Sequence, residues 1–246
     1  MRAPVRLFPR LRLAVLPVLA LCGALALGCQ ESGFDEAKET ARPLKVQHVL
    51  GESKVPGQAE APAALSLETL DDTLALRVQP VAARVPDGEL PSYLRGPASD
   101  VALLGADELP PDDADVILAS APQSQQEFDD LRAVAPTVVI DEGGAQWKLN
   151  LRLVGEGLGK TNDAEALLNA YDEQLARVRA SLPRDARVAG RYPDGSFAAA
   201  LLGDAGVEVV APGQSAPTLK SSAWSGPGGA LAARAALADL RQTLGR

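Results

Sequence analysis

Residues 133–183 read AVAPTVVIDEGGAQWKLNLRLVGEGLGKTNDAEALLNAYDEQLARVRASLP, and this stretch decides the fold. In its last third Ala164, Leu167, Leu168, Tyr171, Leu175, Val178 and Leu182 recur at three- and four-residue steps. That spacing puts them on one helical face. Thr161, Asn162 and Asp163 offer N-caps, and Glu165 stands three residues after Asn162, as in a capping box. Pro183 ends the run. A helix of about twenty residues is roughly 30 Å long, enough to cross one small domain and reach another. Ahead of it lie an apolar strand at 137–140, a Gly-Gly loop, a lone Trp147, and a helical run over 151–158.

Working back towards the N-terminus, DADVILAS (113–120) contains an apolar strand of the buried type. A helix is expected over 123–134, with Phe128, Leu131 and Val134 turned inward. Further upstream come a strand over 45–50 with a hairpin return to Val55, and a buried strand at 63–66. A helix over 67–76 with Leu67, Leu70 and Leu74 on one face follows, and then strands at 78–83 and 101–104. Between these last two, 90–99 reads as a loop with Tyr93 and Arg95 exposed. Strands alternating with helices predict an α/β fold with parallel-type sheets. Downstream, strands at 186–190 and 207–210 flank a helix that starts at Ser196 and stops near Gly206. A Pro/Gly/Ser-rich stretch, 211–229, leads to a last helix over 231–244.

The first 29 residues read as a targeting leader. Arg2, Arg6, Arg10 and Arg12 precede an uncharged apolar run, 13–28, too short for a membrane span and right for a secretory segment. Leu25-Ala26-Leu27-Gly28-Cys29 resembles a lipoprotein cleavage box, which predicts a lipid on Cys29. The alternative is an ordinary signal peptide with an incidental cysteine. Cys22 would leave with the leader, so the processed chain would have no disulfide and no thiolate metal site. Residues 30–43 are polar and read as a tether. The composition is 46% hydrophobic but only 4% aromatic, so the core is Ala, Leu and Val. A formal charge of −8 argues against nucleic acid as a partner.

These elements, in this order, resemble the iron-siderophore, haem and cobalamin binding proteins of bacterial ABC importers. The resemblance is carried by VQHVLGESKVP (46–56), ALSLETLDDTLALRVQPVAA (64–83), DADVILAS, LRAVAPTVVID (131–141), Trp147 and the long helix. In LRVQP, Arg77 stands where the family has glycine. The resemblance implies two lobes with parallel-type sheets joined by one long rigid helix. The second lobe is truncated here, because only residues 184–246 follow the helix. It divides the chain into leader and lipobox (1–29), tether (30–43), N-terminal lobe (44–145), connecting segment (146–183) and short C-terminal lobe (184–246).

The function so implied is capture of a ferric siderophore or related chelate by a monomeric solute-binding lipoprotein. It would sit in the cell envelope, lipid-anchored on the outer face of the cytoplasmic membrane or in the periplasm. Its partners would be an ABC permease and the membrane, through its lipid. It would need no cofactor of its own and make or break no bond. The alternative is a non-transport lipoprotein that keeps the fold as an interaction or structural protein, a reading supported by the shortened lobe.

Cleft residues for such a ligand are aromatic or cationic, since Arg supplies planar charge-assisted donors and Trp or Tyr supplies stacking area. Trp147 is a candidate, with the lobe interface as its other destination. Arg191 and Tyr192 follow the first strand of the second lobe, where the family commonly offers an arginine; a solvated turn is the alternative. Tyr93 and Arg95 are weaker candidates. Ser66 with Glu68, and Ser120 with Gln123, follow sheet strands, where ligands gather in open α/β sheets. Trp224 reads as an anchor for the last helix. Glu108 lies near the position where the family docks on its permease, in a crowded acidic loop.

Catalysis finds little support. His48 is the sole histidine and sits in an alternating strand. No Gly-x-Ser-x-Gly elbow is present, and His/Cys metal clusters are lacking. Gly155-x-Gly157-x-Gly159-Lys160 lacks the spacing of a phosphate loop.

Overall fold

The computed structural model describes residues 42–85, 88–121, 124–141 and 144–245. The expectations for the leader, Cys22, Cys29, most of the tether and Gln123 lie outside the described residues. Thr40–Arg246 form one compact unit.

The chain opens with an antiparallel hairpin, β1 (Leu44–His48) and β2 (Gly51–Val55), in which Val46 pairs with Ser53. The buried Val46 and Val55 turn its apolar side onto the first sheet, and the Ser53 hydroxyl donates to the Thr137 carbonyl at 2.6 Å. That sheet has five parallel strands in the order β5–β4–β3–β6–β7. They are β3 (Pro62–Ala64), β4 (Ala82–Arg84), β5 (Ala102–Leu104), β6 (Val116–Ser120) and β7 (Thr137–Ile140). Helices α1 (Leu67–Ala75) and α2 (Gln125–Val134) make crossovers. Ser66 opens α1 with a capping box: its Oγ accepts from Thr69 N at 3.2 Å, and Thr69 Oγ1 accepts from Ser66 N at 3.1 Å.

β4 starts four residues later than the periodicity predicts. The backbone amides of Leu76, Arg77 and Val78 close back on α1, onto the Asp72, Leu74 and Thr73 carbonyls. Pro80 has no amide to give a ladder. Pairing with β3 therefore begins only at Val81 N, which donates to the Pro62 carbonyl.

After β7, α3 (Trp147–Gly157) and α4 (Thr161–Ser181) form a tight helical pair. The inward face of α4 is Ala164, Leu168, Tyr171, Leu175 and Val178, as the spacing predicts. The expected capping box is absent. Lys160 holds the N-cap position with no side-chain hydrogen bond. Glu165 instead binds Arg152 of α3, Nε to Oε1 at 2.6 Å. The turn between the helices explains this: Gly159 has φ +70°, and Lys160 N donates to the Gly155 carbonyl. An added Cβ at Gly159 would meet Gly57 O at 2.1 Å, and one at Gly155 would meet Ala164 Cβ at 2.7 Å. The three spaced glycines are thus packing positions, Gly155 against α4, Gly157 against Leu118 and Val138 of the first sheet, and Gly159 against the Gly57 loop.

α4 carries the chain to a second, two-stranded parallel sheet, β8 (Arg187–Ala189) with β9 (Glu208–Val210), joined by α5 (Phe197–Ala205). Ser196 caps α5 by accepting from Ala199 N, and Gly206 ends it at φ +71°. Among the described residues this lobe has no further strand. α6 (Ala230–Leu244) then returns to pack on α4 and α1. One continuous apolar core holds Leu118 and Val138 of the first sheet, Trp147, Leu151 and Val154 of α3, and the inner face of α4. Val188, Leu201 and the Ala232, Ala236, Leu237 face of α6 join the same core. Among the described residues no helix is long and apolar enough to cross a membrane.

Candidate functional site

A cleft of about 710 Å³ opens between the two sheets. One wall is built from residues that follow the strands of the first sheet: Ser66 after β3, Ser120 at the end of β6, and Asp141 after β7. Parallel strands deliver these residues to one edge, the edge where open α/β sheets bind ligands. The opposite wall is the run Arg191–Ala198, which leaves β8 and enters α5, together with Trp224–Pro227.

Glu68 lies at the floor of this cleft, only 4% exposed. Its Oε1 accepts from Asn150 Nδ2 at 2.9 Å. Asn150 also bonds the Asp141 backbone in both directions, accepting from its N–H and donating to its carbonyl. One amide side chain on α3 therefore sets both acids of the first wall. Burial pushes the Glu68 carboxyl up to about 7, against the Asn150 bond, which pulls it down. It is poised to hold or release a proton at neutral pH.

On the far wall Tyr192 and Trp224 meet edge to face at 6.3 Å. Trp224 Nε1 donates to Asp239 Oδ2 at 2.8 Å, and that same oxygen accepts from Lys220 N and Ser221 N. So Trp224 anchors α6, as expected, and one side of it also faces the cleft.

Of the predicted residues, Ser66, Ser120, Arg191 and Tyr192 come together around this cleft, with Glu68 and Trp224. Trp147, Tyr93 and Arg95 do not line it. Trp147 is 1% exposed and sits edge-on to Tyr171 at 4.8 Å and to Phe197 at 6.0 Å. It takes the interface destination, packed where α3, α4 and α5 meet. Tyr93 turns into the fold, where its hydroxyl donates to the Asp71 carboxylate and burial raises its pKa. Arg95 is exposed, and its Nε donates to the Leu90 carbonyl. Glu108 is exposed in the turn after β5, where its carboxylate accepts from Gly105 N at 3.0 Å. His48 is structural: Leu50 N donates to its Nδ1, its Nε2 lies 3.0 Å from Ser53 Oγ, and burial lowers its pKa.

Sequence reasoning missed the carboxyls behind the cleft. Asp71 and Asp72 on α1 are fully buried beside Glu68. Their oxygens accept from the first amides of α6: Ala230 N to Asp72 at 2.8 Å, and Leu231 N and Ala232 N to Asp71 at 2.7 and 2.9 Å. Burial raises both acids, Asp71 to about 6 and Asp72 well above its ordinary value, with the neighbouring carboxyls adding to the Asp72 shift. The spacing gives only a hint, since Asp71 follows Leu67 by four residues and shares its helical face, while its partners lie at the start of α6. Among the described residues no group of three or more His, Cys, Asp or Glu side chains is placed to hold a metal ion.

No protein-family model matches the chain. It is similar to the probable siderophore-binding lipoprotein YfiY of Bacillus subtilis, 24% identical over 179 residues, which are 69% of this chain and 54% of that protein. The chain thus spans about half the length of this curated relative. The Staphylococcus aureus protein SirA, solved in complex with staphyloferrin B, superposes with a TM-score of 0.56 at 25% identity, covering 68% of this chain and 64% of that one. The triscatecholate siderophore binding protein FeuA of Bacillus subtilis, solved with ferri-bacillibactin, gives a TM-score of 0.54 at 19% identity, covering 68% and 66%. The chain resembles siderophore-binding and ABC transporter substrate-binding lipoproteins in sequence and shares the α/β, helix-joined fold of the solved neighbours, with two strands in its second lobe among the described residues.

Proposed function

We propose that this protein is a solute-binding lipoprotein of an ABC importer and captures a ferric siderophore or related metal chelate. The observation that carries this reading is the cleft itself, which lies at the carboxyl edge of the first sheet and is closed on its far side by the second lobe. Its size, about 710 Å³, suits a small chelate. In this reading Ser66, Ser120, Arg191, Tyr192 and Trp224 contact ligand, while Trp147 holds the two lobes at a fixed spacing. The second lobe supplies one whole wall of the cleft, which supports binding over a purely structural role. No bond is made or broken. The domain boundaries follow: leader to residue 29, tether 30–43, first lobe 44–145, connecting segment 146–183, second lobe 184–246. A lipid on Cys29 would hold the monomer at the cell envelope, and exposed Glu108 would meet the permease.

The test is fluorescence titration of the chain from Gln30 onward with a panel of ferric siderophores, haem and cobalamin. Trp224 is the reporter. Saturable quenching by one ligand, weakened in Arg191→Ala and lost in Trp224→Phe, is expected. A chain shown by circular dichroism to be folded, yet silent to every ligand, overturns the reading.

A further inference from the structure

The geometry points to a cleft that selects its chelate by charge, accepting neutral or cationic complexes and rejecting polyanionic ones. This inference rests on the binding reading given above. Four charged side chains line the cleft among the described residues: Glu68, Asp141, Asp194 and a single cation, Arg191. A polyanionic complex entering it would meet the exposed Asp141 on the sheet wall and Asp194 three residues from the one arginine, with no cation among the described residues of the sheet wall to receive it.

The adjoining groove does not correct the balance. It has a volume of about 810 Å³ and shares Ser66, Ser120 and Pro227 with the cleft. Its one cation, Arg84, is already engaged. Its Nη2 donates to the Glu108 carbonyl at 2.6 Å, and its Nη1 stands 3.7 Å from Glu127 Oε1. Asp107 lines the same groove. In a cleft walled on two sides these charges are screened less than on a flat surface, and least at low salt.

The sheet wall is also built to receive a cation. Glu68 is held in place by Asn150 at the floor, where burial makes its charged form costly in the empty cleft. An ammonium brought by the ligand would favour the ionised form and give it a charge-assisted partner. Asp141 stands beside it with its backbone, not its carboxylate, committed to Asn150. A chelate with a free amine, or a neutral chelate with outward amide groups, fits this wall. Phe197, Tyr192 and Trp224 offer the apolar contact on the other side.

The experiment titrates the chain from Gln30, which keeps the whole compact unit Thr40–Arg246, with three probes in low salt. They are a monocationic ferric tris-hydroxamate with a free amine, a neutral ferric tris-hydroxamate and a trianionic ferric tris-catecholate. The first two are expected to bind, and the third to bind on the order of tenfold or more weaker. Asp141→Lys, which leaves two acids and two cations among the described residues of the cleft wall, is expected to remove most of that preference without unfolding the chain, because Asp141 is exposed. Glu68→Gln is expected to weaken only the amine-bearing probe. Equal or tighter binding of the trianion overturns the charge rule and leaves the binding reading standing. Silence towards all three probes from a folded chain overturns both.

Discussion

Asp71 accepts the backbone amide of Leu231 at 2.7 Å across 160 residues of sequence. The same carboxylate takes Ala232 N, and Asp72 takes Ala230 N. α6 therefore begins not on its own cap but on two acids of α1. The first amides of a helix have no partner within the helix, and burial makes that vacancy costly.

Asp71→Ala strands the Leu231 and Ala232 amides and the Tyr93 hydroxyl at once. The expected loss is on the order of 3 kcal/mol. Asp71→Asn keeps one acceptor and should lose about half as much. Urea midpoints of the two variants check this. Equal midpoints for wild type and Asp71→Ala would show that α6 does not depend on the staple.

The buried acids set the direction of pH dependence. Glu68 is pushed up to about 7 and Asp71 to about 6. The folded chain then holds protons that the unfolded chain has already released, so stability falls as pH rises from about 4 to about 7. Thermal midpoints are expected to be higher near pH 5 than near pH 8. Asp72→Asn, which removes the carboxyl raised by burial and by both neighbours, should flatten the curve. A midpoint that rises with pH across this window refutes the account.

Trp147 is a structural tryptophan. Trp147→Ala empties a site packed against Tyr171 and Phe197 and should cost about 3–5 kcal/mol. Trp147→Phe should keep the ligand response, which Trp224→Phe removes. Loss of ligand quenching in Trp147→Phe with an unchanged denaturation midpoint would return Trp147 to the cleft.

Arg77 has φ +60°, the one left-handed non-glycine residue among those described. It follows the C-cap of α1, the position where glycine ordinarily ends a helix. Arg77→Gly should stabilise the chain by about 1 kcal/mol, the strain of that conformation less the entropy cost of glycine. A urea midpoint that falls instead would mean that the arginine side chain contributes packing that outweighs its backbone.

Much of the fold was legible because it rests on local periodicity. The α4 face, the buried strands at 116–120 and 137–140, and the Ser196 cap all follow from spacing and side-chain chemistry. Arg77 was legible too, as a departure from a glycine. The Asn162–Glu165 box misled because an isolated helix would use it, whereas here α3 brings Arg152 into reach of Glu165. The cleft was half legible. Ser66 and Ser120 follow from strand ends, and Arg191 with Tyr192 from the strand that precedes them. Trp147 went the other way, because an aromatic ring beside a loop serves a core as readily as a ligand. Asp71, Asp72 and Asn150 depend on partners about 80 to 160 residues away, and no local pattern carries that.

The α1–α6 staple also has a meaning in time. The amides that Asp71 and Asp72 receive emerge 158 to 161 residues after them. At ordinary synthesis speed that is a wait of roughly ten to thirty seconds. Throughout it the acids of α1 lack the amides that satisfy them in the finished fold. The last clasp of the fold closes only after α6 has been made. A chain whose closing contact comes so late completes its fold from the far end back onto its beginning.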